Sequence, residues 1–261
     1  MQGIPLNERK RLGALLDDRP QTEVMAMIPQ FSQAETDNFV APPAQIPEAL
    51  GVLMFNMERG VNLPEIQEFL RDCPDIQPFD VILANELDDG CARSGNKNTA
   101  RELAQAFGLN YAWGLEFIEL VNDENAKGFH GNAVFSRWPI RRAGVIRLPE
   151  QYNWYFDRQK RIGGRLAVFA ELDVGGQPVG AVSIHLENRT HGEGRKAQMA
   201  AILEAVRKEL PDMPLILGGA LNTNTFDGRA KEDIGAIAAD PALRRRCLED
   251  VGEFEPLPPM C

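Results

Sequence analysis

The chain has 261 residues, 44% of them hydrophobic and 25% charged. That composition excludes a disordered or low-complexity chain and supplies enough apolar material for one substantial core. Its 38 acidic against 28 basic side chains leave a formal net charge of −10, which argues against broad nonspecific attraction to a nucleic-acid backbone and leaves only a local basic patch to do such work.

Residues 1–48 read as an N-terminal extension to a main domain at 49–261. Leu12, Leu15 and Leu16 sit at helical spacing before Asp17-Asp-Arg-Pro20 and predict a short amphipathic helix. Ala41-Pro-Pro-Ala44 reads as an extended linker. From Gly51 strands and helices alternate: a strand at 52–55, a helix from Asn62-Leu-Pro64 to about Leu70, and a strand at 81–84. A helix opens at Asn98-Thr99 and is closed by Gly108, followed by strands at 111–120, 133–136 and 144–148.

Two further strands, 165–172 and 179–185, flank a hairpin turn at Gly175-Gly176. Met199, Ile202, Leu203, Val206 and Leu210 mark the clearest helix, over 195–210. The run Leu215-Ile-Leu217 is a buried strand ending abruptly in Gly218-Gly219. The fold class is therefore α/β or α+β. The cysteines at 73, 91, 247 and 261 show no CxxC pairing and read as reduced thiols. No apolar run is long enough for a signal-peptide core or a membrane span, so a cytoplasmic location is expected.

Several polar residues end apolar strands, which is how a core delivers side chains to a site. Glu86 follows Asp80-Val-Ile-Leu-Ala-Asn85, and a carboxylate there needs a cation or a cap. Asn56 ends the strand before Gly60 and offers both a carbonyl and an amide donor, or else forms a tight turn. His185 leaves the strand 179–184, and Asn132 stands in Gly131-Asn-Ala, a turn or a site lining with equal claim. Asn222, Thr223 and Asn224 follow Gly218-Gly-Ala-Leu221 and either position a ligand or make a polar turn. His191 is expected to be solvated, and Arg195, three residues before Gln198, to be structural, pairing with backbone or a carboxylate. Arg244-Arg-Arg246 reads as a helix-dipole partner before a basic patch.

Five stretches, Leu53-Met-Phe-Asn-Met-Glu-Arg-Gly60, Asp80-Val-Ile-Leu-Ala-Asn-Glu86, Gly131-Asn-Ala-Val-Phe-Ser-Arg-Trp-Pro-Ile140, Ala181-Val-Ser-Ile-His-Leu-Glu187 and Pro214-Leu-Ile-Leu-Gly-Gly-Ala-Leu-Asn-Thr-Asn-Thr225, occur in register. Together the chain resembles the endonuclease/exonuclease/phosphatase superfamily, the DNase I-like metal-dependent phosphoesterases. The resemblance implies a β-sandwich flanked by outer helices, with Glu86 and Asn56 binding Mg²⁺ or Mn²⁺, and Asn56 and Asn132 binding substrate. It places His185 and Asn222 in catalysis and implies attack of metal-assisted water on a phosphate ester.

The sequence departs from that pattern twice. Ala220 stands at the family's aspartate, and a C-terminal Ser-Asp-His motif is absent from the sequence, so impaired catalysis and missing last strands are expected. Engineered inactivation, a fragment and a natural pseudoenzyme all fit. The expectation is a phosphodiesterase or nuclease; the alternative is a non-catalytic module that binds a phosphorylated ligand or a protein. Nucleic acid, phospholipid headgroups and sugar or inositol phosphates stay open as substrates, and an unpaired sheet edge suggests self-association.

Overall fold

The computed structural model describes residues 1–223, 235–236 and 239–242. In chain order the elements are α1 (Leu6–Ala14), α2 (Gln21–Ala26), β1 (Ala34–Asp37), β2 (Val52–Arg59), α3 (Leu63–Asp72), β3 (Val81–Asp89), α4 (Thr99–Phe107) and β4 (Asn110–Glu119). They continue with β5 (Phe129–Ser136), β6 (Ile140–Arg147), β7 (Arg161–Gly163), β8 (Leu166–Val174), β9 (Gln177–His185), α5 (Gly192–Glu209) and β10 (Leu215–Ala220).

Two mixed sheets result: one runs β1-β4-β5-β3-β2 with β7 also paired to β4, the other β10-β9-β8-β6. The alternation of side chains along each strand sorts the apolar residues into layers. Val81 and Leu83 join Val134, Leu166, Val168 and Ala181 in the core between the sheets. Ile82 and Ala84, one residue out of phase, pack beneath the helices with Leu70 and Leu103. On the far side Phe169, Val182 and Ile184 are covered by Met199, Ile202 and Val206 of α5. Each such burial contributes about 1.5–3 kcal/mol. The chain is thus an α+β sandwich with helices on both outer faces, as expected.

Local chemistry explains most element ends. Asn98 accepts the Arg101 N–H and Gly108, at φ +59°, closes α4. Gly175 and Gly176 take φ +59° and +92° in the β8–β9 hairpin. Pro64 opens α3, but the Asn62 side chain makes no cap bond.

Residues 1–48 do more than flank the domain. Leu12, Leu16, Val24, Ile28 and Phe31 enter the core outside the first sheet, and β1 extends that sheet beside β4. Ala41-Pro-Pro-Ala44 carries no helix or strand. β5 begins at Phe129, four residues before the expected start, because His130 and Asn132 break the apolar alternation and are nonetheless buried. Gly131 between them is required: a Cβ there would collide with the Gly114 carbonyl and the Trp113 ring. Cys73 and Cys91 are free thiols, and burial pushes the Cys91 thiol up. Asn224, Arg244-Arg-Arg246, Cys247, Cys261 and the question of further strands lie outside the described residues.

Candidate functional site

β2 and β3 run parallel with Asn56 opposite Asn85, and the register of both slips just past that pair. Glu86 has φ +57°, and Glu58, Arg59 and Gly60 have φ +46°, +69° and +68°. A bulge of this kind bends a strand and re-aims its side chains. A left-handed glutamate costs about 1–3 kcal/mol and persists only where its surroundings hold it. Here Asn132 Oδ1 accepts the Glu86 backbone N–H at 3.1 Å, and the Asn56 side chain hydrogen-bonds the Glu86 carboxylate. Asn56 Oδ1 also accepts the Glu58 N–H at 2.9 Å, so this residue both forms the turn and touches Glu86. Burial pushes the Glu86 carboxyl up, but the nearby His130 and His185 and the Asn56 bond outweigh it and hold the group below the usual carboxylate range.

Asn85, which sequence reasoning passed over, ties this wall to the second sheet. Its Nδ2 donates to the Ile184 carbonyl at 3.0 Å and its Oδ1 accepts the Ala220 N–H at 2.9 Å. Ala220 is in register with His185 across β10 and β9. Asn222 has φ +51° and spends an amide hydrogen on the Leu186 carbonyl at 2.8 Å. Asn56, Glu86 and Asn132 therefore form one cluster, and Ala220, His185 and Asn222 a neighbouring one.

His185 is 3% exposed. Its Nδ1 lies 3.1 Å from Glu116 Oε2, and Arg165 Nη1 lies 3.0 Å from both ring nitrogens. Glu116, fully buried in the middle of β4, also takes the Arg165 guanidinium at 3.1 Å. Burial penalises its charge, yet His185, Arg165 and His130 prevail and hold its carboxyl far below the ordinary range. Arg165 further contacts Glu187 at 3.3 Å, whose Oε2 accepts the Trp154 indole N–H at 2.9 Å.

A cavity of about 160 Å³ opens beside Glu86 and is lined by Arg59, Arg158, Arg161, Arg165 and Arg189, together with His130, Asp157 and Trp154. The imidazole lining it is His130, not His185. His130 Nδ1 lies 2.9 Å from Asp88 Oδ1, and its Nε2 lies 3.7 Å from Glu116 Oε2. Asp88 takes a two-point contact from Arg93 at 2.7 and 2.8 Å. Burial opposes its charge, but Arg93 and His130 hold it down to about 2. Outside this cluster, His191 is exposed. Arg195 donates to the Thr190 carbonyl at 2.8 Å, the backbone pairing expected of it, and Gln198 receives the Glu187 N–H at 2.9 Å.

Among the described residues no three His, Cys, Asp or Glu side chains gather to hold a metal ion. The Glu86 carboxylate with the adjacent Asn56 amide is a donor set of hard oxygens, which suits Mg²⁺ or Mn²⁺ completed by water and phosphate oxygens. Arg59 Nε, 3.8 Å from Glu86 Oε2, is too far for a hydrogen bond and leaves that carboxylate available.

No family model matches the chain. A curated relative, geranylgeranylglyceryl phosphate synthase of Thermococcus gammatolerans, is 22% identical over 223 residues, 81% of this chain and 79% of that one. Among solved structures, an endonuclease/exonuclease/phosphatase from Beutenbergia cavernae is similar at 23% identity and a TM-score of 0.49, over 67% of this chain and 48% of that chain. The match thus spans about half that protein's length. The human Nocturnin catalytic domain with bound sulfate is similar at 18% identity and a TM-score of 0.49, over 86% and 79% of the two chains. An endonuclease/exonuclease/phosphatase family protein from Leptotrichia buccalis is similar at 18% identity and a TM-score of 0.48, over 72% of each. No helix among the described residues is long and apolar enough to cross a membrane.

Proposed function

We propose that the chain carries a divalent-metal phosphoesterase site, a phosphodiesterase or nuclease site by resemblance, weakened at Ala220. The observation that carries this reading is the Glu86 bulge, held by Asn132 and Asn56 beside a cavity lined with arginines. Glu86 and Asn56 would hold Mg²⁺ or Mn²⁺, which when bound would neutralise phosphate charge. Arg59 and His130 line the same space as Glu86 and are placed to donate to phosphate oxygens. His185 acts behind them, fixing Glu116 and Arg165. Asn132 shapes the wall by accepting the Glu86 backbone N–H; its Nδ2 is buried with no partner, so it supports the site from behind the cavity lining. Asn222 holds the Leu186 carbonyl and so fixes the loop that follows His185.

Ala220 brings no carboxylate to the strand end next to His185, so water lacks a base there. A general base contributes roughly 10²–10⁴-fold, and turnover is correspondingly weak. That same observation favours the second reading, a module that binds a phosphorylated ligand without hydrolysing it. The test is Mn²⁺-dependent hydrolysis of a chromogenic phosphodiester. Slow turnover that Glu86→Gln abolishes supports the enzyme. Tight binding of a phosphate ester with no turnover supports the module, and neither binding nor turnover overturns both.

A further inference from the structure

The arginine-lined cavity differs from its surroundings in charge, in size and in unpaired donors. The protein is acidic, with a net charge of −10, yet five arginines line this one space against two carboxylates, Glu86 and Asp157. Three more carboxylates lie behind the wall, and they fall on only two of those arginines: Glu116 and Glu187 on Arg165, and Glu119 on Arg161. Arg59 and Arg189 have only loose contacts, each 3.8 Å from Glu86 and Asp157 respectively. Arg158 has no carboxylate within ion-pair distance among the described residues.

The donors are also incompletely used. Arg161 is 4% exposed, and its Nη2 has no hydrogen-bond partner. Its Nε sits 2.9 Å from Glu119 Oε1 but at an angle that makes no hydrogen bond. The guanidinium lies over the Phe117 and Trp154 rings, at 5.1 and 5.3 Å from their centroids, which fixes its plane without satisfying its N–H groups. Arg59 Nε is likewise buried without a hydrogen-bond partner. A buried charged group with unfilled hydrogen-bonding capacity is costly to the fold, and an anion in the space that Arg59 and Arg161 line offsets their charge.

The volume, about 160 Å³, is half the lower end of the ~300–1,000 Å³ usual for drug-sized ligands. It is ample for a phosphoryl group.

We infer that this cavity is a receptor for a terminal, dianionic phosphate, so that the site takes phosphate monoesters or chain-end phosphates in preference to internal diesters. A terminal phosphate presents three free oxygens and about two charges near neutral pH, matching a set of convergent, under-neutralised guanidinium groups. An internal diester presents two free oxygens, one charge and two organic substituents, and so offers these groups fewer contacts. This inference rests on the phosphoesterase reading for its location and on the arginines for its selectivity, and it replaces the diesterase specialisation that the resemblance implies with a monoester one.

The test is calorimetric binding in EDTA, without metal or turnover, using inorganic phosphate, phenyl phosphate and methyl phenyl phosphate as probes. Phenyl phosphate is expected to bind at least about tenfold more tightly than the diester near neutral pH, since it brings one more free oxygen and close to one more charge to the guanidinium groups. Inorganic phosphate reports whether the free anion alone accounts for the binding. Lowering the pH from about 7.5 to about 5 protonates the monoester and should shrink the ratio, while the diester arm serves as the control for any change in the protein. Arg158→Ala and Arg189→Ala, both at exposed positions, should each weaken the monoester by about threefold or more and leave the diester within about twofold. Arg161→Gln should do the same more strongly, with circular dichroism to establish that it folds.

Equal affinity for monoester and diester, or monoester binding indifferent to all three arginines, overturns the inference. Diester turnover with equal binding would overturn it while leaving the phosphoesterase reading intact. Monoester preference without any turnover would sustain it and sink the hydrolase.

Discussion

Asn132 Oδ1 accepts the backbone N–H of Glu86 at 3.1 Å, so a residue in one strand of the sheet fixes the irregular backbone of its neighbour. Asn132 is fully buried and its Nδ2 has no partner, so its contribution rests on that single acceptor. Asn132→Ala should therefore leave a left-handed glutamate with a stranded donor and destabilise the fold by about 1–3 kcal/mol. The check is the urea midpoint at unchanged slope. A shift below about 0.5 kcal/mol would mean that the bulge holds itself.

Glu116 carries a larger share. Arg165 and His185 both bind its buried carboxylate, and His130 lies 3.7 Å away. Glu116→Gln keeps the shape and removes the charge, leaving the Arg165 cation short of a partner in a buried setting. Removing one member of a buried pair costs about 3–5 kcal/mol, and thermal or denaturant unfolding should register a loss of that order.

Asp88 gives the fold an acid limit. Its carboxyl is held down to about 2 in the folded chain, from an ordinary 3.8. Because the folded value is depressed, the stabilisation is present above the unfolded value and drains away as pH falls from about 4 to about 2. At about 1.4 kcal/mol per unit it amounts to about 2–3 kcal/mol. Unfolding free energy measured across that range should fall less steeply in Asp88→Asn than in the unaltered chain, and parallel curves would count against it.

The sandwich was legible because its strands are apolar runs with sharp polar ends, and α5 because its apolar residues repeat at helical spacing. Glu86, Asn56 and His185 stood out for the same reason, as polar groups where an apolar run stops, although β2 and β3 continue past the bulge to Arg59 and Asp89. Strand β1, Ala34-Glu-Thr-Asp37, carries no apolar alternation and is defined by its pairing with β4. His130 was hidden because a polar residue early in β5 looks like loop. Glu116 left a visible signal that went unused: a carboxylate inside Trp113-Gly-Leu-Glu-Phe-Ile118 must find a buried cation, and Arg165 supplies it from a strand start 49 residues away in sequence. The cavity's arginines come from separate loops and strand ends, so no local pattern joins them.

Ala220 offers a gain-of-function check. Ala220→Asp places a carboxylate next to His185 in the strand register and keeps the backbone N–H of position 220 that binds Asn85. Turnover of a chromogenic phosphodiester with Mn²⁺ should rise, by less than the roughly 10²–10⁴-fold that a fully supported base contributes, because groups acting as a unit do not add independently. Unchanged kcat/KM would place the weakness elsewhere.

The central claim is that Glu86, at the β3 bulge, is the carboxylate around which a metal-assisted phosphate site is built. Calorimetric titration of Mn²⁺ into the unaltered chain and into Glu86→Gln reads it without requiring activity. The account predicts saturable Mn²⁺ binding that weakens by at least about tenfold in the variant, as loss of the one charged ligand of a hard cation requires. Equal Mn²⁺ affinity in the two proteins would contradict it.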